Sequence, residues 1–477
     1  MDVKFSNLPE FLKCRSFGIE SKMGKHTVCR ASFFIEPEKA EEFLYSAEQR
    51  KKIEISSNSG IRVMEGILSD VAVSYGITDV IADVTVMSES LLLCEQGKER
   101  IFQNPQKTFS DILKEFEGVE TGRCEHLNDT VEEIIYQHNM DDFSFLLYLA
   151  DRCGTGLWIT EDGKVSFGML NNTKMMNDSE KLYQKSVIEK KITARKSGRE
   201  INILTMEQFP NGSVLRYGQT DYIIDKLSIY EEYGGEVYFK YTGFTNPPFR
   251  QPYRRLEKLM TKAKVTDNKD PENLGRIRVE FVEFSDKDTE KTWISYVTPF
   301  VGKNKGGFAM LPDIGDMVVV CISEGIPYVI GSIRNDKLPE NCQNIDKKYI
   351  SVKDSVMMID ESEIVCRQGD KTSCTMTADS FSAEHDKSKM ILDDNSVSVQ
   401  KEKSVITVNS DTVKAETGKS VITLKQDEIT AESGKGKLHI ANGKTVLTGG
   451  KSELLLNSGK TKLSGSSIDL STQGVSL

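Results

Sequence analysis

Residues 403–418 read KSVITVNSDTVKAETG and residues 419–434 read KSVITLKQDEITAESG, nearly the same sixteen letters twice in succession. A copy of that length cannot fold alone, so it must be one layer of a stack. Units of the same length extend in both directions, seven of them between residues 355 and 466. Inside the units the apolar residues come as i, i+2 pairs, such as Ile406 with Val408, Ile422 with Leu424, Leu438 with Ile440 and Leu454 with Leu456. Pairs at period two, separated by S-D, T-G or N-G, describe one short strand about every eight residues with a single apolar face. Successive pairs begin alternately seven and nine residues apart, and from Leu454 the spacing settles at seven.

The few apolar side chains of one unit do not offset the entropy of ordering its backbone, and a lone two-sided coil would have almost no interior. Three chains wound together around a shared apolar axis would supply each strand with neighbours, and the eight residues just named would be its core. At about 4.8 Å per layer such a rod would be on the order of 75 Å long, stiff and polar outside.

Upstream the pattern changes. Residues 1–105 carry short alternating segments, such as RVMEGILSDVAVSYG, that read as antiparallel strands of a first β-barrel region. Residues 106–170 form an α/β insert: TFSDILKEFEG and MDDFSFLLYLADRCG have helical periodicity, and GLWITEDGKVSFG reads as a hairpin around Asp162-Gly163. Residues 171–260 return to strands, ending in a basic connector, PPFRQPYRRLEKLMTKAKV, at 247–265. That connector reads as a solvated helix pinned by Tyr253, Leu256 and Met260, or as a contact for an acidic partner. Residues 261–340 hold KAKVTD, GRIRVEFVEF, TWISYVTPF, GGFAMLP, DMVVVCI and YVIGSI, five or six strands that suggest a small closed barrel. Residues 341–477 are the repeat region.

The formal net charge of -10 disfavours a general affinity for nucleic acid. No early apolar run of signal-peptide length occurs, so synthesis in the cytoplasm without a signal peptide is expected. Nine cysteines without a C-x-x-C fit free buried thiols, and Cys124-Glu-His126 lacks a second ligand pair for zinc, so no metal or cofactor is expected. The GKS and GKT triplets at 418, 443, 450 and 459 lack the earlier glycine of a phosphate loop and read as turns. Asp141-Asp142, Glu132-Glu133 and Asp393-Asp394 fit cap and solvent roles, and His26, His126, His138, His385 and His439 stand alone in the sequence, so no enzyme is expected. His439, between Leu438 and Ile440, should point away from the apolar face.

Gly275-Arg276, Trp293, Pro299, Gly307, Pro312, Gly315-Asp316, Pro327 and Gly331-Ser332 with Asn335 make the barrel segment similar to the OB-fold of VgrG-type spike proteins and of the baseplate spikes of contractile phage tails. TFSDILKEF and YQHNMDDFSFLLYLADRCGTGLWITEDGKVSFG resemble, more loosely, the hub half of the same family. The resemblance implies a mainly β chain with a small α/β portion: tandem hub β-barrels, an OB-fold barrel and a C-terminal trimeric intertwined β-helix (β-prism) needle. It implies a homotrimer that joins a hexameric inner tube protein and baseplate proteins to a needle ejected through a target membrane on contraction. A separate PAAR-repeat tip protein would be met by Val475, Ser476 and Leu477, and any effector cargo would bind noncovalently. The alternative is a phage-type trimeric fibre or adhesin that binds or cleaves surface carbohydrate. Such proteins use aromatic and acidic grooves, whereas after Tyr349 the tail has Phe381 alone among aromatics.

Overall fold

The structure is a computed structural model that describes residues 3–47, 50–57, 60–131, 133–170, 187–217, 219–232, 236–247, 258–302, 307–323, 325–334, 337 and 343–467. The chain divides into two compact units, Met1–Asn335 and Asp336–Leu477.

In the first unit, alternating burial produces strands and periodic burial produces helices. The two regions expected as tandem barrels are antiparallel arrays that meet through Lys13–Lys22 and Thr220–Glu232, with Ile19 opposite Ile229, and so form one 11-stranded sheet. Their inward residues make a single core that includes Ile19, Phe43, Ile55, Ile224 and Tyr241. The reading of residues 1–105 as strands alone missed the helix Ala40–Ala47. Pro37 in the preceding turn and Glu41 and Glu42 in the first helical turn were its signals, and it buries Ala40 and Phe43 completely.

The insert has the expected second helix, Asp142–Arg152, capped where the Asp141 carboxylate accepts from the Ser144 amide at 2.7 Å. Gly154 follows it with φ of 67°, the left-handed position that ends a helix without strain. The first helix is shorter, Phe109–Leu113, held by a reciprocal cap between Thr108 and Asp111. The hairpin pairs Leu157–Ile159 with Val165–Phe167 around Gly163, and Trp158 is fully buried.

Five strands close the small barrel: Leu259–Asp267, Arg276–Phe281, Ile294–Tyr296, Met317–Ser323 and Ile326–Ile333. GGFAMLP contributes a single bridge, Val301 to Gly307, rather than a sixth strand. The connector expectation is also corrected. Met260 already lies in the first barrel strand, 65% exposed, so it pins no helix; Tyr253 and Leu256 fall outside the described residues.

The second unit is one 15-stranded antiparallel meander, from Lys348–Val352 to Lys460–Ser464, in strict chain order. From Ser380 onward the strands begin every eight residues through Lys444, Ser452 and Lys460, the pair Thr461/Leu463 follows Leu454/Leu456 at seven, and the later pairs lie outside the described residues. The seven-and-nine alternation of the apolar pairs has a geometric cause: antiparallel pairing places Val408 opposite Val413 and Ile406 opposite Ala415, so the pair sits late in one strand and early in the next.

Two turn chemistries recur on opposite sides of the sheet, in keeping with a period of sixteen residues rather than eight, with an exception on the second side at Asn442, left-handed at φ 50°. On one side of the sheet the first turn residue is left-handed, as at Gly418 (φ 59°) and Gly434 (φ 61°), and Glu402 occupies the same place at φ 50°. On the other side a side chain caps the turn: Asn409 Oδ1 accepts from the amides of Asp411 and Thr412, and Asp393 Oδ1 accepts from those of Asn395 and Ser396. We expect Gly418→Val to destabilise its hairpin by about 1–2 kcal/mol and Glu402→Gly to have the opposite, smaller effect. Amide hydrogen exchange across Ser404–Asn409 and Thr412–Thr417 measures both.

Candidate functional site

The barrel motif residues stabilise loops. Asp270, buried, accepts from the amides of Glu272 (3.0 Å) and Leu274 (2.9 Å) and from the Arg276 guanidinium, at 2.9 Å from Nε and 2.8 Å from Nη2. These bonds, the guanidinium first, hold the Asp270 carboxyl well below the usual carboxylate range. Gly275 supplies a φ of 73° directly before Arg276. Gly315 and Asp316 lock a second loop onto the first strand, with Gly315 N donating to Val265 O and Val265 N to Asp316 O, both at 2.9 Å. Pro312 O accepts from Asn268 Nδ2 at 2.9 Å, and the Arg278 guanidinium lies 4.6 Å from the centre of the Trp293 ring. Gly331 sits at a register shift between the last two strands, where no neighbour crowds it. Asn335 lies outside the described residues. Asp270, the hub of this arrangement, went unread in the sequence; D-P before N-L-G-R was its only local signal.

The insert and the barrel are joined by Ile134 and Tyr136, buried in the barrel's apolar cluster, and by charge. The Lys107 ammonium lies 2.8 Å from Asp288 Oδ1 and 3.0 Å from Glu115, while Asp288 Oδ2 accepts from the amides of Gln103 (2.8 Å) and Asn104 (3.0 Å). Burial alone would raise the Asp288 carboxyl, but the Lys107 ammonium and the two amides outweigh it and hold it low. Asp142 is similar. It is not the solvent-facing acid expected but is buried, 2.6 Å from both Lys98 and Arg100.

Two histidines have close neighbours. His26 Nδ1 is 2.8 Å from Ser90 Oγ and Nε2 is 3.3 Å from Cys94 Sγ. Burial lowers the imidazole and raises the thiol, Cys94 to about 11, which is opposite to what a thiolate-imidazolium nucleophile needs. His126 Nδ1 lies 2.9 Å from Asp129, and the neighbour of Cys124 is Cys153, 3.2 Å away sulfur to sulfur. Among the described cysteines only Cys29 and Cys153 are fully buried, so the expectation of buried thiols holds for these alone. In the repeat region His439 shares its face with Thr430, and its Nε2 lies 2.8 Å from Glu428, away from the apolar pairs.

The largest unsatisfied feature is the apolar face of the meander. Cross-strand pairing sets its residues in two columns: Val399, Ile406, Ala415, Ile422, Ala431 and Leu438 follow one another in the first, and Val397, Val408, Val413, Leu424, Ile429 and Ile440 in the second. Leu454 and Leu456 continue the respective columns beyond Leu447 and Thr445. Ile406 and Ile422 are each 51% exposed, and Val408, Leu424, Ile440 and Leu456 are also exposed. The described strands take their hydrogen-bonded neighbours from the same chain, and their apolar side chains stand on one exposed face. Val475, Ser476 and Leu477 lie outside the described residues.

A closed five-stranded barrel packed on the insert, in a chain that also carries a one-faced meander, defines a class: a mainly β protein built around an OB-type domain. Residues 261–333 match the family described as the type VI secretion system/phage-baseplate injector OB domain, in agreement with the resemblance to VgrG-type spikes. Among solved structures the chain is similar to the E. coli c3393 protein, described as a component of the type VI secretion system (14% identity, 70% of this chain and 100% of that chain, TM-score 0.46). It is also similar to the lidless PdpA-VgrG complex (12% identity, 90% of this chain and 94% of that chain, TM-score 0.48). A third similar structure is the 43 kDa tail protein of prophage MuSo2 from Shewanella oneidensis (11% identity, 51% of this chain and 97% of that chain, TM-score 0.37). The comparison with curated proteins finds no match.

Replacing Asp288 by Asn leaves Lys107 half paired, so we expect the insert-barrel contact to weaken by about 3 kcal/mol at neutral pH. The depressed carboxyl contributes stability above the unfolded-state value and loses it as pH falls through its own lower value. The difference between wild type and Asp288→Asn should therefore close below about pH 4, measured by denaturant unfolding across pH.

Proposed function

We propose that the chain is the hub-spike protein of a contractile injection system, acting as a homotrimer and mechanical rather than catalytic. Its hub sheet would meet the hexameric inner tube and baseplate. Its repeat sheet would form one wall of a membrane-puncturing needle, assembled in the cytoplasm, ejected on contraction, and carrying a tip protein or noncovalent cargo. The observation that carries this reading is the uncovered pair of apolar columns: a sheet with its backbone fully paired and one face oily needs another such face, not another strand edge. Each half-exposed Ile or Leu would gain roughly 1–2 kcal/mol on being covered.

The match at residues 261–333 supports the injector setting. Cations such as Lys98, Arg100 and Lys107 are committed to buried carboxylates, which suits a load-bearing collar better than a polyanion groove. We expect the purified protein to have the solution mass of three copies. The double substitution Ile406→Asp with Ile422→Asp should release folded monomers, as followed by light scattering. A monomeric wild-type chain with an ordered repeat region would end the proposal, and selective binding on a glycan array would favour the adhesin instead.

A further inference from the structure

In a meander, alternate turns lie on the same side of the sheet, so the 15 strands of the repeat region present two rows of turns, and these rows differ in charge. The row whose first residue is left-handed has a lysine in every turn, from Lys353 through Lys387, Lys403, Lys419 and Lys435 to Lys451. These lysines are exposed, and Lys387 reaches a carboxylate of its own row, Glu402, at 3.4 Å. The turns of the opposite row contain no lysine, although Lys347 pairs with Asp360 at 2.8 Å and Lys425, at a strand end, with Glu428 at 2.9 Å. The row carries Asp360, Glu361, Asp379, Asp394, Asp411 and Asp427 in successive turns, before ending in the uncharged Asn442-Gly443 and Ser458-Gly459. Seven lysines against Asp354, Asp370, Asp386 and Glu402 leave the first row at 7 − 4 = +3, whereas the second row stands at −6.

Turn chemistry does not demand this segregation. A left-handed first residue needs glycine or a tolerant substitute, which says nothing about lysine in second place. A side-chain cap from Asn409 or Asp393 likewise leaves the charge of the following residues open.

We infer that the repeat sheet recognises further copies of itself edge to edge, lysine row against carboxylate row, and that this contact fixes the direction in which the copies associate. The inference rests on the trimer reading above. When identical sheets turn their apolar faces to a common threefold axis, the left edge of one meets the right edge of the next, a heterologous contact that repeats until the ring closes. Because the two rows of turns alternate by one strand, Lys403 lies in height between the levels of Asp394 and Asp411 on a neighbouring copy, and Lys419 between those of Asp411 and Asp427. Each step is about 4.8 Å, within the reach of a lysine side chain.

Inverting one copy end for end, with its apolar face still inward, brings lysine row to lysine row. The apolar columns alone discriminate poorly between the two arrangements, since both present aliphatic side chains to the axis. The charged rows penalise the inverted copy along most of the sheet, an element of specificity by repulsion.

The test reverses each edge separately and then both together in the full-length chain. One set is Lys387→Glu, Lys403→Glu, Lys419→Glu and Lys435→Glu; the other is Asp379→Lys, Asp394→Lys, Asp411→Lys and Asp427→Lys. At low salt each set alone should raise the concentration at which trimers dissociate by about tenfold or more, and added salt should shrink the difference. The chain carrying both sets regains opposite edges and should return to wild-type assembly, which misfolded variants could not do. Far-ultraviolet circular dichroism checks that strands persist in each. Edge-reversed chains that assemble as tightly as wild type, or a doubly reversed chain as weak as the single sets, would overturn the edge inference while leaving the trimer intact. A monomeric wild-type protein would instead remove the trimer reading on which it rests.

Discussion

Antiparallel pairing between consecutive strands of the repeat region satisfies the backbone of one chain completely within itself, and the rest of that region follows from this. Once the ladder from Lys348 to Ser464 is closed by short turns, no lateral edge except those of the first and last strands offers free amides. Association is left to side chains. The pairing also aligns residues sixteen apart, so Ile406 and Ile422 stand in one column with Ala415 between them. A small residue alternating with a large one gives a ridged face suited to interlocking with an equivalent face.

The first unit solves a different problem, that of holding distant stretches of chain rigid without a single large core. Its sheet core and the cores of the insert and barrel are separate clusters, Ile101, Ile134 and Tyr136 pack into the barrel cluster, and polar joins reinforce that contact. Asp288 faces Lys107 and two backbone amides, and Asp142 faces Lys98, Arg100 and Gln137, so the buried carboxylates are compensated by bonds of fixed direction. Such bonds add resistance to shear, because sliding by one residue leaves a charge buried and unpaired.

Much of this was legible in the sequence for a local reason. From Ser380 to Asn457 the repeat strands are six residues long with two-residue turns, so the period-two pattern, the turn residues and the count of layers all lie within a few residues of one another. The hairpin at Gly163 and the cap at Asp141 could be read for the same reason. What escaped depends on partners far along the chain: Lys107 and Asp288 are 181 residues apart, and neither position carries a mark of the other. The helix Ala40–Ala47 escaped because strands surround it and it is only 8 residues long, about two turns, too short for a helical period to repeat. Met260 was placed in a helix because LEKLMTKAKV also fits helical spacing, yet Leu259, Thr261, Ala263 and Val265 alternate inward in the barrel strand. The same locality leaves open in the sequence what companions would supply to the strands. Entropy forbids a lone ribbon without an interior, but it does not say whether companions supply backbone edges or only a covered face.

That distinction bears on mechanics. In the meander the hydrogen bonds run along the direction in which strands are stacked, so a force along the stack acts on every inter-strand ladder in series. Pulling on the ends would open hairpins one after another, each held by a handful of bonds that water can replace. Pushing instead presses strands already near their contact spacing of about 4.8 Å, where repulsion rises steeply and no bond has to break. The way a compressed sheet fails is by buckling away from its plane. Covering the apolar columns with two further faces would brace each sheet against bending in that direction, and opposite charges along the turns would brace its margins. A one-faced meander is thus a weak tether but, once its oily side is covered, a sound strut, which is the asymmetry a puncturing device requires.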